Sequence, residues 1–156
     1  MVFSEKSMQI LCAGGWTEDR LLPADSFIEK LTKAGYTPHP AALKVLQQFG
    51  GLEFSHEDLE GYQWHFHFDI DRTISICDIE DIEDYGNCIG TILCPVGEFD
   101  NGHFLVAVSE DGRVFSYFNP FICLDGINYI EAIERYCKRP GTTIKRLVYD
   151  GNPLEF

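Results

Sequence analysis

The stretch Tyr62-Gln63-Trp64-His65-Phe66-His67-Phe68-Asp69-Ile70 puts His65, His67 and Asp69 at alternate positions. Alternate residues of a β-strand share a face, so two imidazoles and a carboxylate would project side by side. With His103 as a third nitrogen, such a set could serve a metal-dependent enzyme; zinc needs three or four donors converging at about 2 Å. Spacing supplies only His65 and His67, and no helical H-E-x-x-H motif accompanies them. A solvated strand face accounts for the same alternation, and it is the reading taken here. The six cysteines, Cys12, Cys77, Cys88, Cys94, Cys123 and Cys137, could supply a thiolate beside an orienting histidine. None forms a C-x-x-C pair, and no nucleophile signature surrounds any of them. Gly14-Gly15 and Gly50-Gly51 are too short to cradle a phosphate and read as turns. No catalytic residue, metal or cofactor is therefore expected.

The other concentration of chemistry is electrostatic. Asp78, Glu80, Asp81, Glu83 and Asp84 crowd one stretch, with Asp69 and Asp71 just before it and Tyr85 just after. Ile76, Ile79 and Ile82 recur every three residues within it, which predicts a short amphipathic helix or turn with an acidic outer face. A face of that kind is a candidate docking surface for a basic partner, and equally an ordinary solvated helix face. Tyr85, Phe99 and Phe121 border acidic or turn segments and could act as aromatic anchors.

These groups need elements to position them. A helix is expected over residues 4–13, capped by Ser4, with Met8, Leu11 and Cys12 on one side. A second is expected from Ala24 to Ala34, burying Phe27, Ile28, Leu31 and Ala34 and ended by Gly35-Tyr36. The third starts at Pro40 and buries Ala41, Ala42, Val45, Leu46 and Phe49. Gly50 is expected to be its left-handed terminator, with Leu52-Glu53-Phe54 opening a short strand. A polar loop from Ser55 to Gly61 precedes the strand over Tyr62–Ile70, with Trp64, Phe66, Phe68 and Ile70 inward. Gly86-Asn87 should end the acidic helix. Further strands are predicted over Ile89–Cys94, stopped by Pro95, and over His103–Ser109 and Arg113–Phe118. Val96–Gly102 reads as a loop between them. The last two strands flank Glu110-Asp111-Gly112, a strong hairpin signal. A last helix should run from Ile127 to Cys137 with Ile130, Ile133 and Cys137 inward, then an edge strand over Ile144–Tyr149. The sum is an α+β fold: N-terminal helices packed on a central, mostly antiparallel sheet, with a later helix after the hairpin. At 156 residues, a single domain over 1–156 is expected.

Composition narrows the partners. The chain carries 25 acidic and 12 basic side chains, a formal net charge of −13. That charge repels phosphate backbones and anionic lipid, so neither nucleic acid nor membrane is an expected partner. It favours encounter with a basic protein. No run approaches the roughly 20 apolar residues of a membrane helix. Glu5 and Lys6 interrupt any leader-like pattern, and free thiols suit a reducing cytoplasm.

Read in order, several short motifs carry a resemblance. Ala13-Gly14-Gly15-Trp16 with Arg20 comes first, then Gly35-Tyr36 and Leu46-x-x-Phe49-Gly50-Gly51-Leu52. Phe66-His67-Phe68-Asp69, Cys94-Pro95-Val96-Gly97-Glu98 and Gly102-His103 follow. Glu110-Asp111-Gly112-Arg113-Val114, Gly126 and Glu131-Ala132 close the series. Their order and spacing over about residues 11–140 resemble the SUKH superfamily, within it the third group of bacterial immunity proteins. The resemblance implies helices backing a central sheet and a non-enzymatic role. That role is binding and neutralising a cognate toxin, often a nuclease or deaminase, in the cytoplasm. The family varies its binding surface on a shared scaffold, so no contact residue carries over. The acidic residues Asp69, Asp71, Asp78, Glu80, Asp81, Glu83 and Asp84, with Tyr85, are the candidate contacts. The expected oligomeric state is a monomer or weak homodimer. A regulatory adaptor binding a host cytosolic protein is the alternative function.

Overall fold

Apolar spacing and end signals set the first three helices. The computed structural model describes residues 3–156. α1 (Glu5–Ala13) is capped by Ser4, whose side chain accepts from the Ser7 N–H, and it buries Ser7 and Leu11. Cys12, expected inward, is exposed. α2 (Asp25–Lys33) buries Phe27 and Leu31, whereas Ile28 faces solvent at the edge of the apolar stripe. Gly35 turns left-handed after α2, and the Tyr36 N–H returns to the Leu31 carbonyl at 2.9 Å. α3 (Pro40–Phe49) has Pro40 in its first turn. His39 caps it, a role its sequence context does not announce. Its Nδ1 accepts from the Ala42 N–H, leaving Nε2 to donate to the Val108 carbonyl at 2.9 Å.

The joint after α3 differs from expectation in one respect. Gly50 has φ −54°, and Gly51, at φ +82°, is the left-handed residue. Gly50 is required for space: a Cβ there would lie 2.4 Å from the Leu46 carbonyl oxygen and 2.5 Å from the Phe27 ring. Arg20 donates to the Gly50 carbonyl at 2.6 Å, tying the loop after Trp16 to this joint.

Seven antiparallel strands then pair strictly in chain order: β1 (Glu53–Glu57), β2 (Gln63–His67), β3 (Leu93–Phe99), β4 (Phe104–Ser109), β5 (Val114–Phe118), β6 (Phe121–Gly126) and β7 (Lys145–Val148). β1 runs through Ser55, His56 and Glu57, part of the stretch expected as loop. β2 stops at His67, and Ile70 instead opens α4 (Ile70–Ile76). β3 passes straight through Pro95. A register shift between Pro95 and Gly97 interrupts the ladder there, so the missing proline N–H is tolerated. The expected strand over Ile89–Cys94 and loop over Val96–Gly102 are thereby replaced by β3 and a turn at Asp100-Asn101-Gly102, all three at positive φ. β6 was not foreseen.

One sheet face is covered by α3 and α6 (Tyr129–Lys138). There Val45, Ala132, Ile133 and Tyr136 meet Phe68, Val96, Val106, Val108 and Val114. α1 packs on α6 and β1. The other face carries α4 and α5 (Ile79–Ile89), with Tyr85 against Tyr117 at 4.7 Å and Tyr149 at 5.0 Å. The C-terminal stretch joins that layer, Phe156 packing on Phe115. Phe49 anchors the helical side, stacked on Trp16 at 5.6 Å and in contact with Phe3, Phe68 and Tyr129.

Candidate partner-binding surface

The acidic stretch folds as two helices joined at Cys77 and Asp78. Asp69 caps α4 by accepting from the Asp71 and Arg72 N–H groups at 3.1 and 3.2 Å. Asp78 caps α5 by accepting from the Glu80 N–H at 2.9 Å. Capping residues of this type commonly contribute about 1 kcal/mol each. α5 does not end at Gly86-Asn87. It continues to Ile89 and terminates at Gly90, φ +85°. Gly86 is interior because a Cβ there would sit 2.7 Å from the Thr91 carbonyl oxygen.

Ile82 and Tyr85 face inward, while Glu80, Glu83 and Asp84 are exposed and Asp81 is half-buried. Ile76, expected inward, is exposed. Tyr85 is only 2% exposed, so it braces α5 from beneath and is not an available contact. Phe99 is likewise buried, at 5%. Asp71 pairs with Lys30 at 2.9 Å. Among the described residues, Asp78, Glu80, Asp81, Glu83 and Asp84 form no ion pair. Burial, then Asp78 and Asp84, raise the Asp81 carboxyl above its usual range. Burial, then Asp84 and Asp150, raise the Cys88 thiol. The α5 face is thus a concentrated, uncompensated negative field.

The histidine site dissolves on inspection of its partners. His67 is 1% exposed, not solvated: it stands opposite Glu98 on β3, the strand that α4 packs against. Its Nδ1 accepts from the Asp69 N–H at 3.0 Å, so the ring donates through Nε2 to Glu98 Oε1 at 2.7 Å. Burial lowers its pKa, against the pull of Glu98. His65 lies 3.7 Å from Glu53, and His103 lies 3.5 Å from Asp100. Among the described residues no three His, Cys, Asp or Glu side chains converge as a metal site. All six thiols are free, and burial pushes Cys94 and Cys137 up to about 12, far from a reactive thiolate.

A buried carboxylate went unnoticed in the sequence. Asp125 on β6 is 2% exposed and accepts from the Tyr136 hydroxyl at 2.7 Å. Burial raises its pKa from 3.8 to about 6. Since the folded value lies above the unfolded one, ionisation opposes folding. The penalty is absent below about pH 4 and complete above about pH 6, and it amounts to about 3 kcal/mol. Asp125→Asn is expected to stabilise the protein at pH 7 by up to that amount and to have little effect near pH 4. Urea unfolding at both pH values measures the difference. His67 acts with the opposite sign, losing stability as pH falls through 6.5, but it is common to both proteins and cancels.

No helix among the described residues is long and apolar enough to cross a membrane. Comparison with curated proteins and with solved structures returned no match. A protein-family model, described as SUKH-3 immunity protein, matches residues 3–138, from the core residue Phe3 to the end of α6. With that match spanning most of the chain and the α+β architecture in place, the chain belongs to the SUKH-3 immunity protein family, whose members neutralise toxins by binding and not by catalysis.

Proposed function

We propose that this protein, as a single domain over residues 1–156, neutralises a cognate protein toxin in the cytoplasm. The α5 face engages a basic surface of that toxin. The observation that carries this reading is the set of carboxylates at Asp78, Glu80, Asp81, Glu83 and Asp84, without an ion-pair partner among the described residues, on a helix anchored by the buried Ile82 and Tyr85. A basic toxin surface is the kind that grips nucleic acid, so a nuclease or deaminase suits this face, and occupying it would deny substrate access.

Co-expression with the C-terminal domain of the toxin encoded beside this gene tests the reading. Restored growth and co-purification support direct neutralisation. Persistent toxicity without co-purification points to an adaptor function or to a different toxin. The triple variant Glu80→Lys/Glu83→Lys/Asp84→Lys is expected to slow association by about tenfold or more and to flatten its salt dependence, because steering attraction is lost. Stopped-flow rates between low and physiological salt measure both. An unchanged rate would remove this face from the interface.

A further inference from the structure

A groove of about 270 Å³ lies beside α5, between that helix, the α2–α3 connector and the segment entering β3. Its floor is the buried Tyr36, Ile82 and Leu93; Glu83, Asn87 and the exposed Ile92 form its rim. We propose that this groove takes one arginine or lysine side chain projecting from the basic surface of the toxin, a proposal that rests on the immunity reading above.

Size, polarity and charge agree on that occupant. The volume suits one long side chain. The apolar floor matches a methylene stem, and the polar rim matches a charged head that keeps some water. Glu83 stands at the rim with no ion-pair partner among the described residues. α5 also ends beside the groove with no basic residue in its last turn, so the negative end of its dipole has no intrahelical cation. A cation from outside would face both the carboxylate and the helix end. Two glycines set the width. A Cβ at Gly35 would lie 2.8 Å from Ile79 Cδ1, and one at Gly86 would lie 2.7 Å from the Thr91 carbonyl oxygen. The walls can therefore approach α5 only where these side chains are missing. Ile92, 44% exposed, offers apolar contact next to the bound side chain.

The test is a titration of the whole protein with N-acetyl-arginine amide, followed by amide NMR shifts, with N-acetyl-norleucine amide and N-acetyl-glutamate amide as controls. The arginine probe is expected to shift the signals of Gly35, Thr37, Gly86, Asn87 and Ile92 saturably, and the controls to leave them in place. Glu83→Gln should weaken the arginine probe about fivefold. Thr37→Trp, a change at an exposed loop position, should fill the groove and abolish the shifts. Shifts scattered over every acidic residue without saturation, equal shifts with the norleucine probe, or shifts that survive in Thr37→Trp would overturn the groove. Growth rescue by the unaltered protein reads the immunity function separately. Rescue without groove shifts rejects the groove alone, whereas groove shifts without rescue reject the toxin as the source of the side chain.

Discussion

Phe49→Ala is expected to cost about 4 kcal/mol of stability, the range for truncating a buried phenylalanine. Phe49 has no exposed surface and meets rings from four places in the chain: Phe3, Trp16, Phe68 and Tyr129. Those rings belong to the N-terminal segment, the loop after α1, the exit of β2 and the start of α6. The backbone around the vacated space is held by the Gly50–Gly51 joint and by Arg20, so it has little freedom to collapse. Domains of this kind are stable by only about 5–15 kcal/mol in total, and so the loss should be visible as a large fall in the urea midpoint. Phe49→Leu, which keeps most of the volume, should lose markedly less. Equal losses would show that retained volume counts for little and that the cluster depends on the ring itself.

His67→Ala should be nearly as damaging, for an electrostatic reason. It removes the only hydrogen-bond donor to the Glu98 carboxylate among the described residues and leaves a side chain that is 6% exposed facing a cavity. Breaking one side of a buried pair typically costs about 3–5 kcal/mol. It also removes the acceptor of the Asp69 N–H, at the residue that caps α4, so α4 should fray as well. The double variant His67→Ala/Glu98→Ala should recover part of the loss, since no charge is then stranded. Urea unfolding of both single variants and the double closes the cycle, and strict additivity would refute the coupling.

Much of the helical half was legible because its signals are local. Ser4, Pro40 and Gly35-Tyr36 act within a turn of where they stand, and the stripes of α2 and α3 are periodic. The β2 alternation was equally clear, but its polar side was misread. Nothing local to His67 reveals that it will be buried opposite Glu98 of β3. β3 was hidden by Pro95, which stops a regular ladder but not one that shifts register at Gly97. There a Cβ would fall 2.0 Å from the His67 carbonyl oxygen, a close approach that only the folded partner strand defines. β6 was missed because Phe121–Gly126 lacks the alternation of a half-exposed strand; it is buried on both faces over most of its length. In the acidic stretch, the charges were legible and their positions were not. Asp69 and Asp78 are spent on helix caps, Tyr85 lies underneath, and the groove forms only when the distant connector at Gly35–Thr37 comes against α5 and the segment entering β3.

The chain leaves the sheet at His67 and re-enters it at Leu93, on the neighbouring strand. α4 and α5 are therefore an excursion between two adjacent strands, and no other strand is threaded through them. A related gene could exchange residues 68–92 as one contiguous block and keep the order and register of all seven strands. Only the inward residues of the block, chiefly Phe68, Ile70, Ile82 and Tyr85, would have to be preserved in shape. Its outward residues could change wholesale, so with the α5 face as the toxin contact proposed above, a single recombination event would retarget the protein where scattered point changes would each risk the core.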